Sequence, residues 1–415
     1  MVIFTDMNQA ELIHRLTKES VELLKEMIAI PSPSFNEDEV CNHISGWMSG
    51  KGIAHQRIGN NIIAENITDS SKPALMLCAH IDTVSPSEGY GFDPYKPDYE
   101  VAARTIGAIF GKEFSEDEIV AGLGSNDDGA SVVAMIASYR YFTCHDGIGS
   151  GFQNNPSHSF VVGPTPCGQG GSTVLKTTAN AANMKYPNLI LVLSCEEERS
   201  GKNGMTGLWP ELAQKVDFAI VGEPTGMKAA TSERGLLVID ATAHGVSGHA
   251  ARNEGDNALY KALEDIEKLR GHVFEKVSPR MGKVNLNVTQ IKAGTAHNVI
   301  PDRCDFVIDI RPTEQYSNEE ILNELQEICT SELKPRNLAN RSSATFEDSP
   351  LQKAAEALGI ETFSSPTTSD WMRISCDAIK MGPGESARSH KKDEYVFVEE
   401  IRKGIETYIE FIKSL

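Results

Sequence analysis

Five short stretches of the chain set imidazoles and carboxylates where they could share a cation. His80 and Asp82 are separated by one residue, and in an extended chain positions i and i+2 point to the same side, so imidazole and carboxylate can touch. A metal-binding histidine commonly gives its second N–H to a carboxylate, which fixes the tautomer and raises the basicity of the ligating nitrogen. Taken alone, His-x-Asp more often marks a surface pair. The run Gly122 to Gly129 places Asp127 and Asp128 side by side in a glycine-rich turn before a helix, where they could bind a cation, cap the helix, or both. Glu196, Glu197 and Glu198 follow a strongly apolar stretch, whereas a solvated acidic run more often lies on an exposed face. Three adjacent carboxylates repel one another unless cations neutralise them. Glu223 repeats the placement before Pro224, and His390 offers a second imidazole late in the chain. Together these are the donors for two divalent ions about 3.5–4 Å apart around a shared water, with one Glu to spare. Mixed His and carboxylate ligands suit catalytic zinc, with cobalt or manganese as alternatives.

The elements that must position these groups are legible in the apolar pattern. Ala74 to Ala79, Leu189 to Leu193 and Phe218 to Val221 are short continuous apolar runs, as in strands buried on both faces, and each leads directly into acidic residues or histidine. Ala10 to Ile30 carries an apolar stripe at helical spacing, and further helices are predicted around Ala130 to Tyr141 and Val398 to Ile412. This predicts an α/β fold: a mainly parallel mixed sheet with helices on both faces, binding its ligand at the carboxyl ends of the strands. From about Arg234 the pattern changes. A strand at Leu236 to Thr242, a helix at Ala258 to Leu269, strands at Val284 to Val288 and Phe306 to Ile310, a helix at Ile321 to Ile328 and a last strand near Ala344 to Phe346 give β-α-β-β-α-β order, a ferredoxin-like α+β arrangement. Sheet-like sequence resumes at Ala378 to Met381, so the second domain, 232–345, is predicted to be inserted into the first, 1–231 and 346–415. Thr143 to Ala182, rich in Gly, Ser, Asn and Thr, reads as an insertion or mobile loop.

Composition narrows the classes. The 415 residues exceed what one core usually supports, which agrees with two domains. With 58 acidic against 39 basic residues the formal net charge is -19, which disfavours nucleic acid and anionic membrane surfaces as partners. No apolar run approaches a bilayer span, and Met1 to Thr17 lacks the pattern of an export signal. Eight scattered cysteines without Cys-x-x-Cys spacing suit reduced thiols, so a cytoplasmic protein is expected.

Taken in order along the chain, these motifs resemble the M20 family of metallopeptidases, and within it the branch of acetylornithine deacetylase and succinyl-diaminopimelate desuccinylase. The resemblance implies a zinc-peptidase-like catalytic domain with an inserted lid and dimerisation domain, and hence a homodimer. It implies His80, Asp127, Glu198, Glu223 and His390 as metal ligands, with Asp127 bridging, Asp82 orienting His80 and Glu197 as general base. In Gly245-Val246-Ser247-Gly248-His249 it implies that His249, often lent by the partner subunit, stabilises the tetrahedral oxyanion. Asn298 and Arg311 resemble substrate-binding positions, and a guanidinium suits a free carboxylate bidentately. The implied activity is hydrolysis of the amide bond of a small N-acyl amino acid, acetylornithine deacetylase-like, in amino-acid and specifically arginine biosynthesis. The alternatives are a dipeptidase or aminoacylase of the same family and a metal-free binding protein. Three features depart from the family: Gly129 replaces a usual Lys or Arg, Thr143 to Ala182 has no counterpart, and Glu100 to Ile119 is long.

Overall fold

The structure, a computed structural model, describes residues 8–143, 186–252 and 254–415. The predicted insertion from Thr143 to Ala182 lies, after Thr143, outside the described residues. The larger sheet runs in the order Gln56–Ile58, Asn61–Asn66, Asn188–Ser194, Ala74–His80, Phe218–Val221, Asp377–Lys380, Ala229–Glu233 and Ser343–Ala344, with Thr362–Ser365 also beside Ala229–Glu233. Ala74–His80 is parallel to both of its neighbours, and Asp377–Lys380 is parallel to Phe218–Val221, while the flanking strands include antiparallel pairs. The fold is the mixed, mainly parallel α/β sheet that the apolar runs predict.

Alternation decides which strand residues face which layer. Leu75, Leu77 and Ala79 join one core with the helices Gln9–Ile28, Asp38–Gly50, Gly129–Thr143 and Val398–Ser414. Ala74, Met76 and Cys78 point the other way, against the helix Met205–Leu212 and Trp371. Both faces are covered, which is why these strands read as unbroken apolar runs. No helix among the described residues is long and apolar enough to cross a membrane.

A separate core, from Leu237 to Leu333, belongs to a second unit. Its sheet order is Asn285–Ala293, Arg303–Arg311, Leu237–His244, Glu332–Pro335, all antiparallel, backed by the helices Ala258–Gly271 and Asn318–Ile328. The β-α-β-β-α-β order is as predicted, but its last strand is not. Ser343–Ala344 pairs with Ala229–Glu233 in the larger sheet, and Glu332–Pro335 closes the smaller one. The physical reason is position: Glu332–Pro335 is an edge strand that buries only Leu333, so it carries little apolar signal. Glu233 and Ser343, paired across the sheet, therefore stand where the chain leaves the larger unit and returns to it.

Candidate metal centre

Because the central strands are parallel, their carboxyl ends meet along one edge, and the polar motifs follow there. His80 is the last residue of its strand, Glu196 to Glu198 follow Asn188–Ser194, and Glu223 lies two residues beyond Phe218–Val221. Gly222 allows the approach of Glu223, since a β-carbon there would lie 2.7 Å from Ser131 Cβ and 2.8 Å from an Asp128 oxygen.

The imidazole of His80 is buried between two carboxylates. Its Nδ1 lies 2.9 Å from the Asp82 carbonyl and 3.4 Å from the Asp82 carboxylate, and its Nε2 lies 3.3 Å from Asp127 Oδ1. Asp82 accepts hydrogen bonds from the Ser34 hydroxyl at 2.7 Å and from the Glu197 and Glu198 backbone N–H groups at 3.0 and 3.1 Å. One carboxylate thus orients the first histidine and fixes the turn that presents the two glutamates. On the other side, His390 Nε2 lies 3.0 Å from Glu198 and 3.6 Å from Asp127 Oδ2. The two oxygens of Asp127 face two different imidazoles, as a bridging ligand requires.

The donors fall into two groups, His80, Asp127 and Glu223, and Asp127, Glu198 and His390, with the ligand atoms of each group within 4.8 Å of one another. Their chemistry fits a pair of divalent cations. Burial pushes the carboxyls of Glu197 and Glu223 well above the usual range, each raised further by neighbouring carboxylates. Burial alone would push the imidazole of His80 down, but its bonds to Asp127 and Asp82 raise it well above the ordinary value. The Glu198 bond raises His390 to about 9. Such a cluster is short of positive charge, which two cations would supply.

Glu197 belongs to neither donor group and remains available as a base. Of the acidic triplet, Glu196 turns away: it adopts φ +60, and its carboxylate accepts the Asn203 backbone N–H at 3.0 Å and the side-chain amide at 2.6 Å. The triplet is therefore two facing carboxylates and one structural one. Gly129, where the family often has a basic residue, starts the helix Gly129–Thr143; a β-carbon there would lie 2.3 Å from the Gly124 carbonyl oxygen and 2.6 Å from Leu24. This backbone leaves no room for a side chain at that position.

Two contributors escaped the sequence reading. Glu394, four residues after His390, is buried and accepts the backbone N–H groups of Gly124, Asn126 and Asp127 at 3.1, 3.0 and 2.9 Å, so it fixes the turn that carries Asp127. Asp370 is buried, accepts the Ser194 hydroxyl at 2.6 Å and is raised to about 6 by burial; its charge is one of those acting on Glu197. The available signal for Glu394 was an acidic residue four positions after His390, just before the apolar Tyr395 to Val398. Asp370 opens the 3-10 turn Asp370–Arg373, too short to leave a periodic pattern in the sequence.

The three remaining predicted residues lie on the smaller unit. His249 and Asn298 are brought together there: His249 pairs with Val299, and the Asn298 carbonyl accepts the Ala250 N–H at 3.1 Å. The Nδ1 of His249 accepts the Ala251 N–H at 3.2 Å, which leaves Nε2 as the donor. Arg311 is at the far end of its strand, held by Asp309 through Nε at 2.9 Å and Nη2 at 3.2 Å.

Known proteins share the sequence pattern and the fold. A peptidase dimerisation domain of the M20 type matches residues 231–337, the span of the smaller unit. The chain resembles the M20 peptidases. It is 24% identical over 408 residues to the succinyl-diaminopimelate desuccinylase of Corynebacterium glutamicum, covering 93% of this chain and 94% of that one. Over 250 residues it is 31% identical to the acetylornithine deacetylase of Myxococcus xanthus, covering 55% of this chain and 64% of the relative. Among solved structures, the M20-family YXEP protein of Bacillus subtilis, described as a dinuclear metal-binding peptidase, shares the fold with a TM-score of 0.64 at 14% identity, covering 97% of this chain and 98% of that one.

Proposed function

We propose that the chain is a two-metal amidohydrolase that cleaves the amide bond of a small N-acyl amino acid, with Glu197 as general base and His80, Asp127, Glu198, Glu223 and His390 as metal ligands. The observation that carries this reading is the pair of donor groups sharing Asp127, with the carboxylate of Glu197 outside both groups and electrostatically coupled to Glu223 and Glu198. Two divalent ions held there, zinc in our reading, would supply Lewis acidity towards the scissile carbonyl and lower the pKa of a water towards neutrality. Glu197 accepts the proton of the attacking water and delivers it to the departing amine nitrogen. His249, whose Nε2 carries the proton, donates to the developing oxyanion when the lid, 232–345, closes. The bonds of Arg311 to Asp309 use Nε–H and one Nη2–H, so the Nη1 group and the second Nη2–H are the donors that would meet a substrate carboxylate.

The relatives named as a desuccinylase and a deacetylase favour an acyl-amino-acid substrate over a dipeptide. The match to a dimerisation domain favours a homodimer. The test is a panel of acetyl- and succinyl-amino acids beside dipeptides, with metal content measured in parallel. Turnover of acyl-amino acids by protein holding metal is the expected result. Turnover of dipeptides alone would move the chain to a dipeptidase, and inactive protein isolated without metal would make it a binding protein.

A further inference from the structure

His390 is held in a conformation that its own side chain resists. Its φ is +57, in the left-handed region, and Asp393 three residues on has φ +58. Non-glycine residues stay there only where the surroundings over-determine them. On one side the loop is tied to the Asp127 turn, where Asn126 accepts the Glu385 N–H at 2.9 Å and donates to the Glu385 carbonyl at 3.2 Å. On the other side the ties come from a segment with no metal ligand. The Ser87 hydroxyl donates to the His390 carbonyl at 3.2 Å, the Tyr90 hydroxyl to the Lys391 carbonyl at 3.2 Å, and the Gly91 N–H to the Asp393 carboxylate at 2.5 Å.

That segment is itself backed. Tyr90 meets Phe92 edge-on with ring centroids 5.8 Å apart, and Phe92 is buried with Ala102 and Ile106 of the helix Tyr99–Phe110. Asp98 caps this helix through the Glu100 and Val101 N–H groups, and Gly111 ends it at φ +61. The long stretch before Ile119 thus anchors the residues that grip the His390 loop.

We propose that residues 87–92, backed by the helix Tyr99–Phe110, form a strut that positions His390 and so sets the affinity of the cation position made by Asp127, Glu198 and His390. The position made by His80, Asp127 and Glu223 does not depend on it. Ser87 and Tyr90 are positioning residues, and the inference rests on the two-cation reading above.

The test uses the full chain stripped of metal and titrated with cobalt(II), followed by absorbance and calorimetry. In the parent two ions bind. In the double variant Ser87→Ala, Tyr90→Phe the first ion binds as in the parent and the second about tenfold more weakly, within the range known for partners that orient a metal ligand. Tyr90→Phe alone keeps the ring against Phe92 and removes only the hydroxyl, so it gives a smaller shift of the same ion without loss of fold. His390→Ala marks the limit, with the second ion lost. An unchanged second ion in the double variant overturns the strut, as does equal weakening of both ions with a lowered Tm. A parent that binds fewer than two ions overturns the two-cation reading itself.

Discussion

Lys380 and Glu233 show how single residues near the centre carry more than their own contacts. Both are fully buried, with Lys380 Nζ 3.0 Å from Glu233 and 3.0 Å from the Thr367 carbonyl. Glu233 also accepts the Ser369 hydroxyl at 2.7 Å, which secures the loop that bears Asp370. Removing one partner leaves an unpaired buried charge. Lys380→Met is therefore expected to lower stability by about 3–5 kcal/mol, and adding Glu233→Leu to return most of it. The midpoint of urea unfolding checks this; a single variant as stable as the parent would show that water reaches the pair. The sequence gives no hint of this pair, because neither residue belongs to a motif and only the register of distant strands brings them together. By contrast the short polar motifs that carry His80, Asp127, Glu198, Glu223 and His390 were legible from the apolar strands and glycine-rich turns before them, while the choice of Asp127 over Asp128 and of Glu198 within its triplet came from the resemblance to the M20 family. The turned-away Glu196 was not, because the left-handed kink that separates it from Glu197 depends on Asn203.

At the scale of elements, legibility followed burial. Strands covered on both faces, Ala74–His80 and Asn188–Ser194, were readable to within a residue or so, because an unbroken apolar run has few other interpretations. Half-exposed elements were harder. Glu332–Pro335 buries one side chain and ends on proline, so the more apolar Ala344 to Phe346 drew the assignment that belonged to it. The helix Tyr99–Phe110 was also missed, although Asp98 before it and Gly111 after it are ordinary start and stop signals. Length alone marked that stretch as unusual, and its packing explains the length: it carries the aromatic cluster behind Tyr90.

For the molecule as a whole, the proposed mechanism joins two units, with the metal ligands on the larger one and His249 beside Val299 on the smaller. On the proposed function, His249 would serve the centre by closure of the smaller unit or by loan from a second subunit. If His249 acts across a dimer, mixing inactive His249→Ala with inactive Glu197→Gln under subunit exchange restores activity, because some mixed dimers hold one site with both residues intact. Exchange verified by mass with no return of activity would confine His249 to its own subunit or to a structural role in the lid. Its loss is further expected to lower kcat rather than metal content, as for an interaction made mainly in the transition state.

The assignment of Glu197 as the base, distinct from the ligands, is the centre of the account. Metal content and turnover of Glu197→Gln, measured on the same preparation, test it most directly. The amide keeps the size of the side chain and removes its ability to take a proton, so parent and variant are both expected to hold two metal ions per chain, while kcat of the variant falls by a factor on the order of 10²–10⁴. Full turnover in the metal-loaded variant would contradict the account, and loss of metal together with turnover would place Glu197 among the ligands instead.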